Sequence, residues 1–107
     1  MIMERQVRDM LTSAIDAAQP DPLRLYHLCY WQGEIRCLPS RHTTKTHPVF
    51  FTVSGQALSR GLSPRQLWVL THRIFHICRM TGLPLDGLIG SNETVVSNRR
   101  EVQEELI

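Results

Sequence analysis

Residues 23–38 read LRLYHLCYWQGEIRCL, and the pairing of this stretch decides the fold. Residues 23–31 are rich in aromatic and apolar types, which suit a pleated, half-buried strand. Gln32-Gly33 is a turn, and residues 34–38 form the return strand before Pro39. Two registers are open. A two-residue turn pairs Leu28 with Cys37 and Tyr30 with Ile35; a three-residue turn pairs Cys29 with Cys37 and Trp31 with Ile35. The second makes two thiols cross-strand neighbours, close enough to be oxidised in vitro. A slip of this kind changes which side chains share a face, and the sequence does not choose.

Upstream, residues 3–18 carry Met3, Val7, Met10, Leu11, Ala14, Ile15 and Ala18 at the spacing of one helix face, and Pro20 and Pro22 end it. Downstream, residues 39–48, PSRHTTKTHP, are polar and bounded by prolines, so they form a loop with Arg41, His42, Lys45 and His47 exposed. Residues 49–53, VFFTV, make a short buried strand that Gly55 breaks. The best-marked helix follows. Ser63 is its N-cap, Pro64 takes the first helical position, Gln66 completes a capping box, and Leu62 and Leu67 are placed as a hydrophobic staple. Gly82 is a left-handed stop, so this helix runs over 64–81. Residues 83–90 mix apolar and turn types, and 98–106 suggest a short C-terminal helix capped by Ser97.

The expected fold is therefore α+β in one small domain spanning 1–107, as the length alone suggests. A helical region (1–18), a three-stranded antiparallel sheet (23–54), a second helix (63–81) and an extension (83–107) ending in a short helix follow in α–β–β–β–α order. Two helices most simply cover one face of the sheet. The other face is solvated or used for binding. Neither repeats nor a linker interrupt the chain.

Hydrophobic residues make up 42% of the sequence, which fits a globular domain. No apolar run approaches the ~18 residues of a membrane span. The charged start MIMERQVRDM and an odd count of three cysteines, Cys29, Cys37 and Cys78, point to a cytoplasmic protein with reduced thiols. The net charge of +2 is unevenly placed: −2 over residues 1–22, +7 over 23–82 and −3 over 83–107. All five histidines lie in the basic centre, and seven of its eight cations are arginines. Arginine suits forked contacts to carboxylate or phosphate, so the expected partner is an acidic protein surface or a nucleic acid.

Within 64–81 stands THRIFHICRM, residues 71–80, which at first resembles a His/His/Cys cluster. At about 100° per residue, Leu67, Leu70, Thr71, Ile74, Phe75, Ile77 and Cys78 gather on one side with Trp68 at its margin. Arg65, His72, His76 and Arg79 gather on the other, flanked by Arg73. Cys78 thus points away from the histidines and reads as a small core residue. His72 and His76 remain an i, i+4 pair, but a zinc site needs three or four ligands. His27, Cys29, Cys37, His42 and His47 form no recognised ligand spacing with them. Neither a nucleophile motif, a phosphate-binding glycine loop nor paired carboxylates beside a basic pocket is present. The expectation is no enzyme, no catalytic residue, no metal and no cofactor, with a zinc site or a His-dependent nuclease as a minor alternative.

What survives is a basic surface: Arg65, His72, Arg73, His76 and Arg79 on the helix, Arg41, His42 and Lys45 on the loop. Trp31, Trp68, Tyr26 and Tyr30 are candidate aromatic anchors on the surface; the alternative, a place in the core, suits Trp68 better than Trp31. The leading expectation is a small inhibitor, adaptor or regulatory subunit docking on an acidic protein of a nucleic-acid-processing complex. The alternative is direct phosphate binding by the 64–81 helix and the 40–47 loop. The element order resembles that of double-stranded-RNA-binding domains, which grip phosphates through a helix and a loop. The paired lysines that open the second helix there are replaced here by Ser63-Pro64-Arg65, so only the order of elements is shared. A helix-turn-helix reading, Gly55–Ser59 with a turn at Arg60-Gly61, has too short a first helix. Self-association through an open sheet edge is a further variant.

Overall fold

The computed structural model describes residues 2–85, with side chains from Glu4 onward. The expected C-terminal helix lies outside the described residues. Helix α1 (Ile2–Ala18) leads to strands β1 (Leu25–Trp31) and β2 (Glu34–Pro39), a 3-10 turn (Ser40–His42), β3 (Val49–Ser54), and helices α2 (Gly55–Arg60) and α3 (Pro64–Thr81). The sheet order is β2-β1-β3, with β1 antiparallel to both neighbours. The fold is the expected α+β arrangement, with α1 and α3 on one face of the sheet.

The hairpin takes the two-residue turn: Leu28 pairs with Cys37 and Tyr30 with Ile35. Gln32 and Gly33 both have positive φ, 50° and 81°. That geometry matches the twist of the two strands, which is why tight hairpins favour it. Cys29 therefore pairs with Arg36, and the two strand thiols occupy opposite faces. No disulfide joins any of Cys29, Cys37 and Cys78.

Side chains alternate along β1. Tyr26, Leu28 and Tyr30 turn toward the helices, where Val7, Leu11 and Ile15 of α1 meet Ile74 and Phe75 of α3 in one core. The spacing of Val7, Leu11 and Ile15 keeps them on a single stripe of α1. The register of β3 shifts between Leu28, which pairs with Phe51, and Cys29, which pairs with Val49. Phe50 is the extra residue. The bulge turns it toward the core beside Phe51, and its ring meets Tyr30 edge-on at 6.5 Å.

Because β2 and β3 flank β1 and are both antiparallel to it, they run parallel to each other and need a crossover. Residues 40–48 supply it. Their 3-10 turn approaches β1, and His47 stacks on Trp31 with ring centroids 4.5 Å apart. Trp31 belongs to the sheet face away from the helices, so the connection crosses that face. Cys29, on the same face, has no accessible surface. The outer face expected to be open is thus partly roofed by the chain itself.

The sequence suggests that Gly55 only breaks a strand; instead it begins α2 directly after β3. A Cβ at Gly55 would lie 1.9 Å from Asp21 O and 2.8 Å from Arg24 O. The 19–24 connection is clamped at that point. Gly55 N–H donates to Arg24 O, Ser59 Oγ donates to Pro20 O, and the buried Tyr26 hydroxyl accepts from Asp21 N–H. Helix α2 lies against β3 rather than forming a pair with α3.

Candidate binding surface

Local chemistry sets α3. Ser63 Oγ accepts from Gln66 N–H at 3.1 Å, and Gln66 Oε1 accepts from Ser63 N–H at 2.8 Å. Pro64 stands at the start, and Gly82, at φ 73°, ends the helix by donating to Cys78 O. The helix spans 64–81 as its caps imply. Thr71, Ile74 and Phe75 are buried, with Leu67, Leu70, Ile77 and Cys78 packed around them.

The outward half holds Arg65, Trp68, Val69, His76, Arg79 and Met80. Trp68 is 53% exposed and Met80 70% exposed. Both tryptophans are surface candidates in the sequence, with the core suiting Trp68 better; the structure reverses that order, leaving Trp31 half-buried under His47 and Trp68 outside. The same wheel that collects Arg65 and Arg79 places Trp68 within about 60° of both, so the signal was present. Its apolar character argued for the core, yet the core is already filled by Ile74, Phe75 and Leu70. Val69 and Met80 lie on the same outer arc, where their apolar character likewise points to a core they do not reach.

His72 departs from the expected outer stripe. Its side chain is 21% exposed, its Nε2 is buried, and Glu4 Oε1 of α1 lies 3.5 Å away. That distance sets the imidazole beside a carboxylate without a hydrogen bond between them. Its ring stacks on Trp68 at a centroid distance of 4.2 Å. The physical reason is helix crossing: α1 passes α3 beside position 72, so a residue that a lone helix would expose is half covered. Glu4 is invisible as a partner in sequence because no local spacing links it to His72. His72 is therefore a prop behind Trp68, while His76 remains exposed, and the i, i+4 histidine pair divides. Arg73 is also displaced from a purely solvated role. Its guanidinium lies 5.3 Å from the centre of the Phe51 ring, a cation–π distance that covers the edge of the core.

The loop residues lie elsewhere. Arg41, His42 and Lys45 are exposed, but the loop that carries them crosses the sheet face opposite the helices. That loop is ordered by its threonines. Thr43 Oγ1 donates to Pro39 O, Thr44 N–H donates to His47 Nδ1, and His47 N–H donates to Thr44 O. His47, expected to be exposed, is half-buried as a result. The structure thus places Arg65, Arg79 and His76 along the same outward side of α3 as Trp68, and sets Arg41, His42, Lys45 and Trp31 on the other side of the sheet.

Among the described residues, no three His, Cys, Asp or Glu side chains gather as a metal-holding group. Burial raises both strand thiols. Cys37 is pushed up to about 11, first by burial and then by Cys29; Cys29 is raised by burial against the opposing pull of Arg36. Both are thiols near neutrality, a poor state for nucleophilic chemistry or metal ligation. No helix among the described residues is long and apolar enough to cross a membrane.

No protein-family model matches the chain, and neither any curated protein nor any solved structure does.

Proposed function

We propose that this chain is a small non-enzymatic binding protein whose α3 docks on an acidic surface of a partner protein. The observation that carries the reading is the exposed Trp68, seated on His72 and sharing the outer side of α3 with Val69, Met80, Arg65 and Arg79. Trp and Arg anchor interfaces more than other residue types. A Trp side chain buries on the order of 200 Å² in an interface. With about half of it available here, covering Trp68 supplies roughly 2–3 kcal/mol at ~25 cal/mol per Å². The acidic character of the partner follows from charge. Residues 64–81 contain three arginines and no carboxylate. The stacked His72 orients the indole in advance, which lowers the entropy lost on docking.

The placement of Arg41, His42 and Lys45 across the sheet from α3 supports one-sided docking over a two-element grip on phosphates. The test is capture of a partner from the native host before and after nuclease treatment, with wild type, Trp68→Ala and Arg65→Glu/Arg79→Glu. Circular dichroism checks that each variant is folded. A nuclease-resistant partner lost by both variants is the expected result. Capture that disappears with nuclease, or that persists in both variants, overturns the proposal.

A further inference from the structure

A groove of about 870 Å³ lies between α1 and the edge of β2, which pairs with no further strand among the described residues. Met10, Ala14 and Ala17 form its helical wall, and Ile35 and Cys37 form its strand wall. Small side chains on the helix leave room beside the strand. The strand itself has bonding capacity to spare. In a two-residue hairpin the closing pair, Trp31 and Glu34, exchanges hydrogen bonds, and the pairs then alternate. Cys29/Arg36 and His27/Leu38 bond across the hairpin; Tyr30/Ile35 and Leu28/Cys37 do not. In agreement, Tyr30 N–H donates toward the β3 side, to Pro48 O at 2.8 Å. Ile35 and Cys37 therefore aim their N–H and C=O groups out of the sheet, along the groove.

The groove is graded in charge. The 19–24 connection brings the end of α1 to the Pro39 end of β2, so Ala17 lies near Pro39 and Asp9 lies toward Glu34. Glu34 pairs with Arg36 at 3.1 Å, but no cation of the described residues pairs with Asp9. The hairpin end thus carries Asp9 beside the neutralised Glu34–Arg36 pair, and the Pro39 end, lined by Ala14, Ala17, Ala18 and Leu38, is mainly apolar. A second copy paired edge to edge fits badly. Helix α1 lies over β2, and a copy would set its own α1 over the same space. Neighbouring strands lie ~4.8 Å apart, whereas packed helices need ~8–10 Å.

We propose that this groove takes an extended peptide segment of a partner protein as an added strand beside β2. Its apolar side chains alternate toward α1, and a Lys or Arg meets Asp9 at the hairpin end. Main-chain bonds to Ile35 and Cys37 supply affinity, and the groove's side chains supply selection. This surface is separate from the outer face of α3 and opposite to it in charge.

The test pans a displayed random heptapeptide library on the full-length protein, then titrates synthetic copies of the enriched peptides by calorimetry. Expected are peptides with alternating apolar residues and one terminal cation. Ala17→Arg, an exposed change that blocks the groove, should weaken them about tenfold, as should N-methylation of alternate peptide amides in one parity only. Asp9→Lys should abolish the preference for the cation, and Gln56→Arg, on α2, should change nothing. The proposal is overturned by a library with no enriched family, by peptides indifferent to Ala17→Arg and to N-methylation, or by sedimentation showing the groove closed by a second copy.

Discussion

Replacing Gly55 by alanine separates local preference from tertiary packing, because the two predict opposite signs. Gly55 opens α2 in a helical conformation, where alanine is favoured over glycine by up to ~1 kcal/mol. Packing says otherwise. The added Cβ would sit 1.9 Å from Asp21 O, well inside the 3.0 Å that real Cβ atoms keep. Its neighbours are backbone atoms, which cannot rotate away. Moving them strains Gly55 N–H to Arg24 O and Asp21 N–H to the Tyr26 hydroxyl, both 2.7 Å bonds. Two weakened bonds at ~1 kcal/mol each and overpacking of ~1–3 kcal/mol outweigh the helix gain. The net loss is about 2–4 kcal/mol, which for a domain of this size lowers Tm by roughly 9–18 °C. Thermal and urea melts followed by circular dichroism measure it directly. Ser59→Ala removes one hydrogen bond of the same clamp and should cost only about 1 kcal/mol. A Gly55→Ala protein as stable as wild type would refute the clamp.

Thr71 is fully buried with no partner for its hydroxyl among the described residues, so Thr71→Val should raise stability by about 1 kcal/mol in urea titration; a loss of that size would mean the hydroxyl is satisfied. Cys37, pushed up to about 11 from 9.0 by burial, holds its proton in the folded chain after the unfolded chain has lost it. Stability from this group is complete below pH 9 and is lost as pH rises through 11, a fall of about 3 kcal/mol. Urea midpoints across that window should flatten in Cys37→Ala relative to wild type. Ser63→Ala removes the capping box of α3 and should cost about 1 kcal/mol, while Gln66→Ala, which loses only the reciprocal bond, should cost less.

Sequence by itself determined what neighbouring residues enforce. Ser63-Pro64, Gln66 and Gly82 bound α3 at the observed limits, and Val7, Leu11 and Ile15 marked the inner face of α1. The alternation and turn residues of 23–38 produced the hairpin. These signals act through backbone groups and side chains a few positions apart, so they are legible without the fold. Tertiary structure decided the rest. The hairpin register followed from two positive-φ turn residues working with strand twist. The crossover of 40–48, imposed by the β2-β1-β3 order, moved Arg41, His42, Lys45 and Trp31 away from α3. The passage of α1 beside position 72 turned His72 from a surface charge into the support for Trp68. A periodic pattern says which side of a helix is outward; only the packing of other elements says how much of that side remains uncovered.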